Sequence, residues 1–326
     1  MKEDKRRFLA RIAYMHYIEG KSQTRIAKEM GIYRTTICRM LAKAKDEGIL
    51  KVEIKDFDVS LFALEAYVKD KYGLEKIDII PQEQEDDDHM RLMKVARAAA
   101  ELVRRTVKDG DQIGIAWGST LSHMIDQSKP RSLKGVKIRP LAGGPSHIHA
   151  KFHVNSLVYR LAKIFHGETS FINALVVQEN KKAAEQLIQS QDLKQILEDW
   201  KTLDLAIVGI GGEAHQEEES VWRDLLSAQD YQALRQEAAV GEVCCRFFNQ
   251  EGQSVYQALQ ERTIGISLDQ LAKIPKTIAV ARGKEKATAI LAALKAGFIN
   301  HLVTDQETIL ALLAVDKDDS FQELKR

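Results

Sequence analysis

The chain has 326 residues, 44% of them hydrophobic, which predicts about two domains with ordinary packed cores. Its 48 Lys+Arg and 47 Asp+Glu leave a net charge of +1, which excludes a uniformly basic coat for nucleic acid and a highly charged disordered chain. No apolar run approaches the ~18 residues of a membrane helix, the start lacks the apolar core of a signal peptide, and three cysteines (Cys38, Cys244, Cys245) fit buried thiols in a reducing cytoplasm.

The near-neutral total hides an asymmetry. Residues 1–56 carry 14 Lys/Arg against 8 Asp/Glu, a net of +6, and the rest carries 34 against 39, a net of −5. A small basic head on a mildly acidic body points to a polyanion for the head and a different task for the body.

In the head, Phe8, Ile12, Met15 and Tyr17/Ile18 recur at helical spacing. Gly20 stops that helix and Ser22 is placed to cap the next. Ile26, Ala27 and Met30 form an inner face, Gly31 turns the chain, and a third helix from about Tyr33 to Asp46 turns Ile37, Met40 and Leu41 inward. Gly48 ends it, and 49–54 alternates with period two, as a strand of a short pair.

Residues 22–41, SQTRIAKEMGIYRTTICRML, have helix-turn-helix spacing. Ala27 is small where the helices cross, Gly31 tolerates the positive φ of the turn, and Ile26 and Ile37 fill the core between them. The start of the second helix then faces base edges in a major groove. Arg34 and Arg39 reach guanine edges or phosphates, and Tyr33, Thr35 and Thr36 suit phosphate, sugar or thymine-methyl contacts. Ser22, Gln23 and Lys43 complete the expected DNA-facing set, with Lys45 near the backbone. The competing reading is a three-helix module that packs on, or binds, protein.

The next helix carries Val59, Phe62, Leu64, Tyr67, Val68 and Tyr72 as an apolar stripe closed by Gly73. It fits packing on its own domain and dimerisation equally well. Beyond it, strands at 77–80, 112–116, 136–141, 205–210, 277–281 and 300–304 alternate with helices at 90–108, 120–127, 153–166, 181–189, 191–199 and 284–297. That alternation predicts an α/β fold with a parallel sheet covered on both faces. The acidic stretch 83–88 reads as a solvated loop.

Three glycine clusters follow predicted strands. The first, Gly114-Ile115-Ala116-Trp117-Gly118-Ser119-Thr120, runs into a helix N-terminus, where free N–H groups favour an anion; alternatively Thr120 simply caps its helix. It is neither a Walker loop nor a dinucleotide fingerprint. The others are Leu141-Ala142-Gly143-Gly144-Pro145-Ser146 and Gly209-Ile210-Gly211-Gly212. Glycines at successive carboxyl ends of parallel strands predict a small-ligand pocket.

His147, His149 and His153 lack a matching Cys or carboxylate frame and read as a pocket-rim loop rather than a metal site. Glu242 fits a partner for sugar hydroxyls or a solvated turn, and Lys286 fits a phosphate partner or a solvated first-turn lysine. Cys244 and Cys245 read as core in a strand-like run, and no catalytic constellation is legible.

Taken together, GIYRTTICRML, GIAWGSTL, PLAGGPS with FHVNSLVY, LAIVGIGG, GEVCCRFFNQEG and AVARGKEKATAILAALKAGFINHLVTD resemble the SorC family of sugar-binding transcriptional regulators, related to DeoR-type regulators, over essentially the whole chain. The resemblance implies a winged helix-turn-helix head (1–56), a linker or oligomerisation helix (57–75) and a Rossmann-like effector domain resembling sugar-phosphate isomerases (76–326). It also implies operator DNA as partner, a tetramer, and neither catalysis, metal nor cofactor. The GIYRTT and GGPS…HVNSL stretches resemble sorbitol/sorbose-operon regulators most, implying a phosphorylated hexitol or ketose as effector.

By motif, the phosphate loop falls on Gly118, Ser119 and Thr120 with Leu121 beside it, a second loop on Gly143, Gly144 and Pro145, the acidic position on Glu242, and the lysine on Lys286. Three residues depart from the family pattern: Glu242 and Asn249 stand where Asp is usual, and Arg282 replaces a small residue, either strengthening anion binding or blocking the pocket. The alternative of another class is a sugar-phosphate isomerase fused to a DNA-binding head, with Glu242 as its base.

Overall fold

The computed structural model describes residues 2–51, 59–83, 85–145, 148–214, 222–318 and 320. The chain forms two compact units, Met1–Val59 and Ser60–Arg326. The boundary expected after Asp56 lies outside the described residues.

The first unit has three helices, α1 (Lys2–Tyr17), α2 (Gln23–Met30) and α3 (Arg34–Asp46). Ser22 caps α2, its hydroxyl accepting the Arg25 N–H. Gly31 ends α2 at φ 67 and donates its N–H to the Ala27 carbonyl, giving the tight turn that only glycine adopts without strain. Leu9, Ile12, Ala13 and Met15 of α1 pack against Ile26, Ala27, Ile37, Leu41 and Ala44. Residues 49–51 form no strand, and the rest of the expected strand, 52–54, lies outside the described residues.

The second unit opens with α4 (Val59–Tyr72), followed by β1 (Lys76–Ile80), α5 (Asp88–Thr106), β2 (Gln112–Ile115), α6 (Ser119–Gln127), β3 (Lys137–Pro140), α7 (Val154–Phe165) and β4 (Glu168–Thr169). Then come α8 (Lys181–Ile188), α9 (Gln191–Asp199), β5 (Leu205–Val208), α10 (Ala228–Gln236), β6 (Gly241–Val243) and β7 (Arg246–Phe248). The chain finishes with α11 (Gln257–Gln260), α12 (Leu268–Leu271), β8 (Lys276–Val280), α13 (Ala287–Lys295), β9 (His301–Asp305) and α14 (Gln306–Val315). Seven strands make one sheet in the order β1-β9-β8-β5-β2-β3-β4, every described pairing parallel. All side chains of β5 and β9 are buried, so both faces of the sheet are covered, as a parallel sheet requires. Among the described residues no helix is long and apolar enough to cross a membrane.

The six expected strands are all present: β2, β3 and β5 are trimmed, β1 starts one residue earlier, and β8 and β9 are offset by one residue. The α4 stripe packs on its own unit: Leu61, Leu64 and Val68 are buried there and Tyr67 and Tyr72 are half-buried, while Phe62 stays exposed. In the acidic stretch, Glu83, Glu85 and Asp87 are exposed in a loop, as expected, while Asp86 is partly buried and Asp88 opens α5. Asp86 pairs with Lys94, Asp87 accepts the Met90 N–H to cap α5, and Asp88 pairs with Arg282. The fold also adds elements that the pattern did not show, chiefly α10, α14 and the hairpin β6–β7. Cys244 and Cys245 are that hairpin's turn, at φ 50 and 65, rather than part of a strand. Arg246 anchors it by donating to the carbonyls of Gln260, Thr263, Gly265 and Ile266.

Candidate functional site

The strand order fixes where a ligand can sit. From β2 the chain moves outward through β3 and β4, then returns to the opposite flank of β2 as β5. The loops leaving β2 and β5 therefore diverge, and the crevice at that switch point is where open parallel sheets bind ligands. A cavity of about 490 Å³ lies there, between the glycine loop 116–121 and the loop 209–211.

The first loop supplies donors. Gly118, not Thr120, is the N-cap of α6; it sits at φ 139 and has no side chain to offer the helix. The Gly118 N–H goes to the Phe152 carbonyl and the Ser122 N–H to the Gly118 carbonyl. Between them the N–H groups of Ser119, Thr120 and Leu121 have no acceptor among the described residues, and all three residues line the cavity. A helix start left uncapped toward a cavity is an anion site.

Charge comes from the opposite wall. Lys286 closes the 3₁₀ turn Lys284–Lys286 ahead of α13 and lines the cavity. Glu242 on β6 also lines it, held by backbone bonds in both directions with Gly211 and by the Cys245 N–H, which donates to its carboxylate at 2.9 Å. Gly211 leaves room for this carboxylate: a Cβ there would lie 2.4 Å from Glu242 Oε1 and push the side chain aside. Desolvation pushes the Glu242 carboxyl up to about 7, against the pull of the Cys245 N–H and the Lys286 charge.

That shift has a testable sign. The unfolded chain releases this proton near pH 4.5, whereas the folded chain holds it until about pH 7. Stability is therefore lost across that window and the penalty is complete above it. Glu242→Gln, whose amide oxygen still accepts from Cys245, should melt like wild type at pH 5. At pH 8 its effector unit should be the more stable by about 2 kcal/mol, discounted for the partial exposure of the carboxylate. Urea titrations at the two pH values measure it; an equal offset at both refutes the shift.

The second glycine loop is placed otherwise. Gly143, Gly144 and Pro145 are buried and are not among the residues lining the cavity. Their donors are already used: Gly143 N–H goes to the Ile264 carbonyl and Gly144 N–H to that of Ala174. Gly144 is glycine because the His153 ring packs on it, 2.0 Å from where a Cβ would stand. Gly144→Ala should thus destabilise the unit by about 2 kcal/mol through overpacking, leaving ligand affinity of the folded protein within threefold. A melt combined with a ligand titration checks both halves. Ser146, the end of that loop, lies outside the described residues.

The histidines act as caps. His149 accepts the Lys151 N–H and His153 the Asn155 N–H. Burial lowers the His153 pKa and keeps the ring neutral for that role. His149 does line the cavity; His147 lies outside the described residues, and no group of metal-ligating side chains occurs among the described ones. Arg282 neither reaches nor blocks the cavity, since Asp88 and buried Asp305 engage it. Asn249 accepts the Glu251 and Gln253 N–H groups in the turn after β7.

Further residues complete the wall. Trp117 stands against Trp222, which in turn packs on Phe247, with ring centroids 5.9 and 5.0 Å apart. Ile148, Phe152, Arg223 and Asp224 also line the cavity, as do Cys244 and Cys245, whose thiols burial raises well out of the reactive range.

The first unit presents the other candidate surface. Tyr33 is 83% exposed as the N-cap of α3. Arg34, Thr35 and Arg39 are exposed and Thr36 partly so, all along the start of α3. Lys43 pairs with Glu47 at 3.4 Å. At the start of α2, Gln23 is partly exposed and Ser22 exposed.

Residues 59–314 match the sugar-binding domain family. The sorbitol operon regulator of Klebsiella pneumoniae is 32% identical over 310 residues, 94% of this chain and 98% of that protein. Its full-length crystal structure superimposes with a TM-score of 0.74, covering 95% of this chain and 99% of that one. A transcriptional regulator from Streptococcus pneumoniae TIGR4 is 45% identical with a TM-score of 0.77, covering 81% of this chain and all of that one (100%). The deoxyribonucleoside regulator of Bacillus subtilis (strain 168) is 29% identical over 313 residues, 96% of this chain and 99% of that protein.

Proposed function

The chain belongs to the SorC family of sugar-binding transcriptional regulators, and from that premise we propose that it controls a sugar or sugar-alcohol operon by binding a phosphorylated hexitol or ketose at the switch-point cavity. The observation that carries this reading is the uncapped start of α6. Three adjacent backbone donors, at Ser119, Thr120 and Leu121, meet the cavity that Lys286 lines, and a phosphate satisfies both. Glu242, largely protonated below pH 7, offers a hydroxyl-bonding group for the sugar beside them.

The proposal is binding without turnover. What supports this is that the relatives are transcriptional regulators; Glu242, held near 7 and still carrying free lone pairs, is the residue through which turnover would have to run. In the head, the start of α3 enters the major groove, with Arg34 and Arg39 on bases or phosphates. Operator reading by two-fold half-sites favours an oligomer, for which we propose a tetramer acting in the cytoplasm.

Ligand-induced stabilisation tests the effector. A bound ligand adds about 2.7 kcal/mol at 100 times its dissociation constant. Sorbitol 6-phosphate and fructose phosphates should raise the melting temperature and change operator affinity, while the unphosphorylated sugars should do neither at equal concentration. Equal shifts from phosphorylated and free sugars would overturn the phosphate assignment.

A further inference from the structure

Away from the cavity, the second unit contains a charge cluster, built around two shielded carboxylates, that ligand binding does not use. It joins α4 to residues just after α14. Asp316 accepts Lys71 Nζ at 2.8 Å and the Tyr72 hydroxyl at 2.9 Å on one oxygen, and Lys295 Nζ at 2.6 Å on the other. Asp318 accepts the Tyr67 hydroxyl at 2.6 Å and also pairs with Lys71. The two carboxylates are only 12% and 6% exposed and are matched by two ammonium groups. Burial raises the Asp316 carboxyl, but the Lys295 and Lys71 contacts outweigh it and hold it at about 2. The ammonium groups stay partly solvated, Lys295 at 49% and Lys71 at 28% exposure, so it is the two shielded carboxylates that a lost partner leaves poorly compensated.

The cluster lies at the far ends of two helices: the near end of α13 lines the cavity at Lys286, and the near end of α14 is tied to the loop that carries Lys286. Lys286 is the residue from which α13 starts, and α13 is buried along nearly its whole length before it ends at Lys295. The start of α14 is bound to the same loop: Asp305 holds Arg282, and the Thr308 hydroxyl accepts the Gly283 N–H at 2.8 Å. Its far end is Asp316. A packed rod of nine residues spans roughly 13 Å and does not bend continuously, so a shift at the Lys286 loop is delivered to the cluster. On the other side of the cluster stands α4, the first helix of this unit after the DNA-reading unit in the chain.

We propose that α13 and α14 relay effector occupancy from the Lys286 loop to α4 through the Lys295–Asp316–Lys71/Tyr72 cluster, making Lys295 and Asp316 positioning residues for regulation that touch neither ligand. The inference rests on the effector reading above. It explains why Arg282 is engaged by Asp88 and Asp305 rather than by the cavity: it fixes the loop at the near end of both rods. A relay must change the difference between liganded and unliganded states, not the affinity of either site alone.

The test uses the full chain, an operator duplex selected by the wild type from a random DNA pool, and sorbitol 6-phosphate as probe. Tryptophan fluorescence reports probe binding, since Trp117 is in the cavity wall, and anisotropy reports operator affinity. Wild type should show at least a tenfold ratio between operator affinities with and without probe. Lys295→Met and Asp316→Asn should keep the probe dissociation constant within threefold while that ratio falls below twofold, and Lys295→Arg should restore it. Variants that retain the wild-type ratio, or lose probe binding in parallel with it, overturn the relay while leaving the effector reading standing. A wild-type chain that binds operator but not the probe refutes the effector reading, and the relay with it.

Discussion

Replacing Arg34 and Arg39 together by alanine should weaken operator binding by about a thousandfold at fixed salt, with effector affinity unchanged. Both side chains are exposed at the start of α3, the part of a recognition helix that meets base edges. A guanidinium bidentate on guanine is worth about 1–3 kcal/mol, so removing both arginines costs about 4 kcal/mol. The double variant should also bind with a shallower salt dependence if either arginine contacts phosphate. The substitutions touch no core residue: Ile37 and Leu41, which hold α3 to α1 and α2, face the other way and remain buried. Anisotropy titrations at several salt concentrations decide it, and a loss below tenfold would place DNA reading elsewhere. Lys43→Ala should cost much less, because its ammonium is shared with Glu47.

The second large effect is expected at the cavity. Lys286→Met should lower affinity for a phosphorylated sugar by about 30-fold and leave the unphosphorylated sugar untouched, since a charge-assisted bond is worth about 1.5–3 kcal/mol. Gly118→Ala should act on the same ligand by another route. At φ 139 an alanine is strained, and relieving the strain turns the Ser119–Leu121 donors away from the anion. Calorimetry with paired phosphorylated and free sugars separates the two contributions. Equal losses for both sugars in Lys286→Met would assign the lysine to the sugar hydroxyls instead.

The head was the most legible part of the chain because its constraints are local. Ser22, Ala27, Gly31 and Ile37 are specified by neighbours within one turn, and their roles are visible in their spacing. The parallel strands were legible for a different reason: a strand buried on both faces, such as Leu205–Val208, is a continuous apolar run. The hairpin β6–β7 was missed because its turn uses two cysteines at positive φ where Asn-Gly or Asp-Gly is the readable signal.

At the cavity, glycine clusters marked strand ends but not what their backbones do there. The loops after β2 and β5 border the cavity, whereas Gly143 and Gly144 are consumed by carbonyls of residues 264 and 174, more than 25 positions away in the sequence. Nothing local separates those outcomes. Arg282 is the same lesson in charge: its partners Asp88 and Asp305 come from two distant elements, so its fate follows from the sheet rather than from its neighbours.

The pairing of β1 with β9 sets an order on synthesis. In the described residues β1 has one ladder, with residues 301–305, and α4 is fastened by Asp316 and Asp318. A nascent chain emerges head first, and its three-helix unit closes with contacts among residues 9–44. An arrested product ending before residue 301 would therefore contain the three-helix unit complete, with β1 unpaired and α4 lacking its Asp316 and Asp318 partners. Such a product could occupy an operator without answering any effector. Its open strand edge is a template for pairing with another chain, so late closure of β1 leaves an unfinished copy prone to aggregation.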